Sequence, residues 1–243
     1  MTTIEPLLFI PIVAVALVQS VFGVGVLLFG TPILIVMGYD YPTVLATLLP
    51  ISIGISLSQI ARDARSVDVH FIRGILLWTV PCIVLFLIVA LRAGQSFGLL
   101  IAALLLLFAL KNQWPALRVA IDRTARFERT WLVCIGVMHG LTNLGGSLLS
   151  MRVQQMNHGK EVARATIAAA YVLFAAFQLA TLTITRPESR AQLGNSLIYA
   201  AAGVAVYLFA NEFIFKRISN QGYAKAFNGF LLCSGLLVAL KSI

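Results

Sequence analysis

Long apolar runs recur along the chain and are separated by short polar turns. The clearest of them cover residues 74–91, 97–110, 163–184, 196–210 and 229–240. A helix needs about 20 predominantly apolar residues to cross the hydrocarbon core of a bilayer. Most of these runs approach that length, and a few are shorter. The pattern therefore predicts an all-α integral membrane protein with several spanning helices.

Two further apolar segments are interrupted by glycine and polar residues. They read QSVFGVGVLLFG over residues 19–30 and HGLTNLGGSLLS over residues 139–150. Irregular backbone at membrane depth is tolerated only where it is buried in protein or lines a cavity. Interruptions at corresponding places in two halves of a membrane protein point to a transport site. We therefore expect a carrier.

The two interrupted segments belong to a longer internal repeat. At an offset of 120 residues, Gln19 aligns with His139. Farther along, at an offset of 119, Gln59 aligns with Gln178. Each interruption is followed by a short polar turn and then by a long apolar helix that contains a Thr and a Gln. The chain therefore consists of two similar halves.

The expected organisation is a first membrane repeat (1–113), a basic cytoplasmic linker (114–130) and a second membrane repeat (131–243). If the interrupted segments, about 6–36 and 131–155, each enter the membrane and return, every repeat has three full spans and one re-entrant hairpin. This topology places all but four of the 18 Lys and Arg residues on one side, in line with the positive-inside rule. Full crossing by the interrupted segments would distribute them more evenly. Because three is odd, the two repeats would be inverted relative to one another.

Composition and charge narrow the class of protein. Hydrophobic residues make up 60% of the chain and charged residues only 11%, whereas soluble domains carry roughly 25% charged residues. The net charge of +9 is spread over short loops with no run of five basic residues, which indicates membrane topology and not nucleic-acid binding. The three cysteines lie singly in apolar surroundings, so we expect neither a disulfide framework nor a metal site.

Glycine recurs at both interruptions, at Gly23, Gly25, Gly30, Gly140, Gly145 and Gly146. Glycine there would allow turns with positive φ and close approach of the backbone. A half-helix that begins after such a turn directs free N–H groups and the positive end of its dipole into the membrane centre. That arrangement suits a small anion without any Lys or Arg. The alternative is that these glycines only permit close helix packing.

Uncharged polar residues cluster near both interruptions and in the helix that follows each. The candidate substrate contacts are Gln19, Gly23, Gly25, Thr31, Ser52, Ser56, Gln59, His139, Thr142, Asn143, Gly145, Gly146, Ser147 and Gln178. Ser52, Ser56 and Gln59 fall on one face of a helix. Neutral donors suit an anion that must be released again, although a helix hydroxyl can also bond to its own backbone. His139 could carry a proton, donate to the anion or be purely structural.

Enzymatic readings find little support in the sequence. No carboxylate pair at membrane depth, Ser–His–Asp set or metal-ligand cluster can be assembled, and no phosphate-binding P-loop is present. We therefore expect no enzymatic activity, no cofactor and no direct use of ATP.

At these motifs the chain resembles the TauE/SafE family of sulfite and organosulfonate exporters. The first copy reads FGVGVLLFGTPILIVMGY over residues 22–39, followed by ATLLPIS. The second reads GLTNLGGSLLSMRV over residues 140–153, followed by ARATIAAA. The glycine run is thinned in both copies, and Arg152 stands where the first copy has Pro32. The resemblance covers essentially the whole chain.

The resemblance implies a secondary transporter that exports sulfite or an organosulfonate, working as a multi-pass protein of the bacterial inner membrane. The repeats favour alternating access, with proton coupling left open. The expected partners are the small anion and the lipid bilayer, with a homodimer left open and nucleic acid excluded. A passive anion channel, or a membrane accessory protein without flux, is the alternative.

Overall fold

A computed structural model of the protein describes residues 5–22, 25–93, 123–156 and 159–213, with isolated positions 103, 106, 119, 232 and 236. These residues are almost entirely helical, and no strand occurs among them. The helices are α1 (Phe9–Phe22), α2 (Val26–Met37), α3 (Tyr41–Asp63), α4 (Val69–Ala93), α5 (Glu128–Thr142), α6 (Gly145–Gln155), α7 (Lys160–Thr185) and α8 (Arg190–Phe213). The all-helical prediction is confirmed for this part of the chain.

Four helices, α3, α4, α7 and α8, are long and apolar enough to cross a membrane. Helices α4, α7 and α8 correspond to the apolar runs 74–91, 163–184 and 196–210, and α3 is the helix expected after the first interruption. Together they are consistent with the predicted helical membrane protein. The two predicted spans at 97–110 and 229–240 lie outside the described residues, apart from isolated positions. Helix α4 contains one π-helical turn, Ile75–Thr79.

Both interrupted segments form pairs of short helices. Helices α1 and α2 have 14 and 12 residues, and helices α5 and α6 have 15 and 11. At a rise of about 1.5 Å per residue, none of the four reaches across a hydrocarbon core about 30 Å thick. The members of each pair pack against each other. Gly25, just before α2, and Thr142, Asn143 and Leu144, between α5 and α6, are buried.

The outer ends of the first pair meet. The Tyr39 hydroxyl, just after α2, donates a hydrogen bond to the carboxylate of Glu5, just before α1. This hydrogen bond raises the pKa of Tyr39 to about 12. Gly38 ends α2 in the left-handed conformation, with φ of 103°, and the Asp40 carboxylate caps the first turn of α3. The chain thus turns sharply from the short pair into the first long helix.

The packing of the two halves follows one scheme. Helix α1 packs against α8, as α5 packs against α4. Helix α2 packs against α3, as α6 packs against α7. Helix α8 packs against α3, as α4 packs against α7. The remaining contacts, α3 with α7 and α2 with α6, join equivalent helices. The short pair of each half therefore packs against the last described helix of the other half.

The equivalent long helices α3 and α7 run antiparallel. The backbone N–H of Asp68, after the end of α3, donates to Thr166 Oγ1 near the start of α7 at 2.9 Å. At the opposite end, Gln192 Nε2, shortly after α7, donates to Thr43 Oγ1 near the start of α3 at 3.4 Å. Polar groups of one half thus bond to the other half at both ends of this central helix pair.

Two of the glycines predicted to break helices lie inside them. A Cβ atom added to Gly30 in α2 would lie 2.8 Å from the Leu48 side chain. One added to Gly140 in α5 would lie 2.8 Å from the carbonyl oxygen of Ile83. The prediction of a turn at Gly30 and Gly140 was therefore wrong. Glycine at these two positions allows neighbouring helices to pack closely.

Candidate functional site

The first interruption is closed by a side chain from α1. Gln19 is buried, and its Oε1 accepts a hydrogen bond from the N–H of Val26, the first residue of α2, at 2.8 Å. Gly25 precedes α2 with φ of 171°, which is extended backbone. A Cβ atom on Gly25 would lie 3.0 Å from the backbone nitrogen of Gln19. Gly25 thus provides close approach, not a positive φ, and Gly23 lies outside the described residues.

The N-terminus of α2 faces α3. Helices α2 and α3 form a hairpin, and Gly30 touches Leu48 between them. One turn back from Gly30 is Val26, and one turn on from Leu48 is Ser52, so Ser52 faces the first turn of α2. The N–H groups of this first turn have no acceptor within the helix, and they carry the positive end of its dipole. Ser56 continues the same face of α3.

The hydroxyls of Ser52 and Ser56 differ from other helical hydroxyls. Both side chains are completely buried, and neither hydroxyl has a hydrogen-bond partner within the described part of the chain. On the same helix, Ser58 Oγ donates to the carbonyl oxygen of Gly54 at 2.9 Å, the usual bond to the helix backbone. A buried polar group left unpaired costs about 1–3 kcal/mol. Gln59, on the same face, is also buried.

The second interruption is joined to α2 by a hydrogen bond. Asn143, which ends α5 with φ of 64°, donates from Nδ2 to Thr31 Oγ1 of α2 at 2.9 Å. Both side chains are buried. Positive φ was expected at the glycines, but Gly145 and Gly146 are helical, and Asn143 adopts the left-handed conformation instead. The structure therefore brings the second interruption against α2, and Asn143 makes that interruption.

The hydroxyls near this second interruption are used locally. Thr142 Oγ1 donates to the carbonyl oxygen of Met138 at 2.7 Å and accepts from the N–H of Leu144 at 3.2 Å. Ser147 Oγ donates to the carbonyl oxygen of Leu144 at 2.8 Å. These bonds stabilise the turn between α5 and α6, so neither hydroxyl is directed away from its own segment.

His139 and Gln178 form a buried pair. His139 Nε2 lies 3.0 Å from Gln178 Oε1, and Gln178 Nε2 donates to the carbonyl oxygen of His139 at 3.4 Å. The acceptor Oε1 requires the proton on Nε2, which leaves Nδ1 as an acceptor without a partner among the described residues. The Phe174 ring lies 4.7 Å from the imidazole, centroid to centroid. This arrangement holds His139 in one tautomer and one orientation.

The start of α6 is covered by an aromatic side chain. A Cβ atom on Gly146 would coincide with the hydroxyl of Tyr171 from α7, and one on Gly145 would lie 2.6 Å from the carbonyl oxygen of Ile135. Tyr171 is 1% exposed. Sequence reasoning missed this residue, although the offset of 119 that pairs Gln59 with Gln178 also pairs Ser52 with Tyr171.

A comparison with protein families accounts for nearly the whole chain. The model described as "Sulfite exporter TauE/SafE" matches residues 8–238, which includes both interruptions and both long-helix pairs. The chain belongs to the sulfite exporter TauE/SafE family. This is a family of membrane transporters, so the chain is a membrane protein of the sulfite-exporter type. Comparisons with curated proteins and with solved structures returned no match.

This TauE/SafE protein also carries a cation that sequence reasoning assigned to topology. Arg152 on α6 is only 9% exposed, and its Nε has no hydrogen-bond partner in the described ranges. It lies two helical turns after Gly145, so it is separated from the interruption by about 10 Å along the helix axis. The alignment of the two halves pairs Arg152 with Pro32, which is buried. This pairing was the signal in the sequence that Arg152 is buried as well.

The described residues of the TauE/SafE chain contain no group of three or more His, Cys, Asp or Glu side chains that could hold a metal ion. Cys82 and Cys134 are free thiols, and Cys233 lies outside the described residues. The polar groups gathered at the two interruptions are thus amides, hydroxyls and one imidazole.

Proposed function

We propose that this TauE/SafE protein exports sulfite or an organosulfonate across the bacterial inner membrane, by alternating access between two inverted repeats. The observation that carries the proposal is the hydrogen bond from Asn143, at the second interruption, to Thr31 in α2, the helix that begins at the first interruption, in a chain of this family. Interrupted helices of two repeats that meet inside the protein are typical of secondary transporters.

The packing scheme supports the inverted repeats. Equivalent helices α3 and α7 are antiparallel, and exchange of the two halves reproduces the pattern of helix contacts. The contact of Tyr39 with Glu5 supports a first pair that returns to the side on which it began. Such a pair is a re-entrant hairpin. The corresponding proposal for α5 and α6 rests on the repeat.

The chemistry of the site supports an anion. The first turn of α2 supplies N–H groups and a partial positive charge, and the surrounding candidates are neutral. A neutral site binds an anion through hydrogen bonds that are strengthened by the charge of the anion, and it releases the anion without separating an ion pair. Both steps are needed for turnover.

The test is flux through the purified full chain in proteoliposomes. Radiolabelled sulfite inside the vesicles should leave faster than from protein-free vesicles, and an imposed pH gradient should drive it against its own gradient if protons are coupled. The Ser58→Ala variant is a control and should transport sulfite as the wild type does, because the Ser58 hydroxyl bonds to the backbone of its own helix. Absence of flux for both sulfite and methanesulfonate under every gradient would contradict export. Single-channel currents would favour the channel, and a stable co-purifying partner without flux would favour the accessory protein.

A further inference from the structure

The two half-helices begin opposite side chains of very different size. The contact of Gly30 with Leu48 places Val26, one turn earlier in α2, level with Ser52, one turn later in α3. At the equivalent place in the second half, Gly146 at the start of α6 lies against Tyr171 on α7. The contact of Gly146 with Tyr171 shows that the Tyr171 side chain points at the start of α6. The Ser52 side chain, at the equivalent place in the first half, is much smaller and ends in a hydroxyl.

We infer that the chain binds one sulfur oxyanion at a time, at the N-terminus of α2, where the hydroxyls of Ser52 and Ser56 donate to it. The place that corresponds to this site in the second half is occupied by Tyr171. The inference rests on the proposed export of a sulfur oxyanion and assigns that substrate to one of the two interruptions.

Buried hydroxyls without a partner are what point to a ligand here. Ser52 and Ser56 are separated by one helical turn, are 0% exposed, and have no acceptor within the described residues. Leu27 and Leu28 in the first turn of α2, and Ile55 beside Ser56 in α3, are also completely buried and apolar. An anion placed there would accept from both hydroxyls and from the N–H groups of Leu27 and Leu28 in the first turn of α2, whereas the N–H of Val26 already donates to Gln19.

The donor set fits a group with several oxygens around one centre. Sulfite and the sulfonate head of an organosulfonate both present three oxygens on sulfur. Two hydroxyls from α3 and the N–H groups of α2 approach from different helices, so different oxygens can be bound at once. Gln19 is not counted among the donors, because its Oε1 accepts from Val26 and holds the start of α2 in place.

Binding to the detergent-solubilised full chain tests the inference. Titration calorimetry with sodium sulfite under anaerobic conditions should give one site per chain. Ser52→Ala and Ser56→Ala should each weaken sulfite binding by roughly tenfold or more, because each removes a hydrogen bond to a charged group. Ser58→Ala should leave the affinity within a factor of about two, because the Ser58 hydroxyl already bonds to Gly54.

A Tyr171→Phe variant tests the second half, because it removes only the hydroxyl that lies over Gly146. We expect sulfite affinity unchanged within a factor of about two, since this hydroxyl is placed outside the site. A loss as large as that of Ser52→Ala, or two sites per wild-type chain, would overturn the assignment. Methanesulfonate in the same titrations distinguishes the two candidate ligands, inorganic sulfite and an organosulfonate. Binding of sulfite but not of methanesulfonate would restrict the site to the inorganic anion.

The outcomes distinguish the site from the function. If wild-type protein moves sulfite and the alanine variants bind it normally, the site is wrong and export stands. If wild-type protein binds sulfite in a manner that depends on Ser52 and Ser56 but does not move it, the site stands and export is wrong. If neither binding nor flux is found with sulfite or methanesulfonate, both are wrong.

Discussion

The two helix interruptions share a scaffold but differ in what occupies it. At the first, Gln19 bonds to the start of α2, and serine hydroxyls face the half-helix. At the second, His139 pairs with Gln178, and Tyr171 lies over the start of α6. The helices around both interruptions pack in the same scheme. The helices around the two interruptions therefore pack alike, while their side chains differ in chemistry.

Side-chain volume explains most of the difference. An offset of 119 pairs Ser52 with Tyr171 and Ile55 with Phe174. The Tyr171 and Phe174 rings lie 6.1 Å apart, and both contact the imidazole of the second half. Aromatic pairs of this kind contribute about 0.5–1.5 kcal/mol beyond the area they bury. The second interruption is consequently surrounded by aromatic side chains, whereas the equivalent positions of α3 carry Ser52 and Ile55.

The most severe test of this comparison replaces Gly146 in α6 by valine, the residue that the first half has at the aligned position, Val26 in α2. Gly146→Val should abolish folded protein, because even a Cβ atom there coincides with the Tyr171 hydroxyl. The double variant with Tyr171→Ser recreates the Val26–Ser52 pair of the first half and should restore folding. Yield and monodispersity in size-exclusion chromatography measure both effects.

The matched control for this substitution is Gly194→Ala in α8, where an added Cβ meets nothing within 4 Å. It should fold as the wild type does. A Gly146→Val protein that folds normally, or a double variant that remains unfolded, would show that the second interruption is not packed as described.

The second test concerns the residue that makes the second interruption. Asn143→Ala loses both the hydrogen bond to Thr31 and the tolerance of a left-handed residue, so the free energy of unfolding should fall by about 2–3 kcal/mol. Asn143→Gly keeps the conformation and loses only the bond, so its loss should be smaller. Thr31→Val should resemble Asn143→Gly, measured by thermal unfolding in detergent. Equal losses for Ala and Gly would contradict a conformational role.

The sequence predicted the frame of this molecule better than its details. Apolar length was sufficient to find α4, α7 and α8, and the repeat indicated α3 as the helix after the first interruption. The polar interruptions were enough to find both short helix pairs. Which residue adopts positive φ was not predictable from glycine content alone. Asn143 can adopt that conformation because its short polar side chain tolerates it, and Gly30 and Gly140 serve helix packing instead.

The contents of the site depend on contacts between distant residues, which local patterns do not encode. A tyrosine on an apolar helix is typical of a core. Tyr171 can lie over the start of α6 only because Gly146 has no side chain there. Similarly, a serine hydroxyl ordinarily bonds to its own helix, as Ser58 does, so the exceptions at Ser52 and Ser56 emerge only from the structure.

A third test introduces a charge at the first interruption. Gln19→Glu should retain the bond to the N–H of Val26, since a carboxylate accepts there and is favoured at a helix N-terminus. Repulsion between the new charge and the bound anion should weaken sulfite binding by about tenfold or more. Calorimetry measures the affinity, and thermal unfolding checks that the fold is kept. Gln192→Glu is the control, because Gln192 bonds to Thr43 at the far end of α3. Unchanged affinity in Gln19→Glu would place the anion elsewhere.

The smallest expected effect is on the thermal stability of the Ser52 and Ser56 variants without anion. This measurement distinguishes best between a binding role and a structural role for the two hydroxyls. Without anion, Ser52→Ala and Ser56→Ala should leave the midpoint of thermal unfolding unchanged or slightly raised, because each removes a buried hydroxyl that has no partner in the described chain. Thr79→Val removes a hydroxyl that bonds to the carbonyl oxygen of Leu132 at 2.9 Å, so it should lower stability by about 1 kcal/mol. If the serine variants instead lose as much stability as Thr79→Val, their hydroxyls stabilise the protein itself, and the contrast between the two interruptions is one of packing alone.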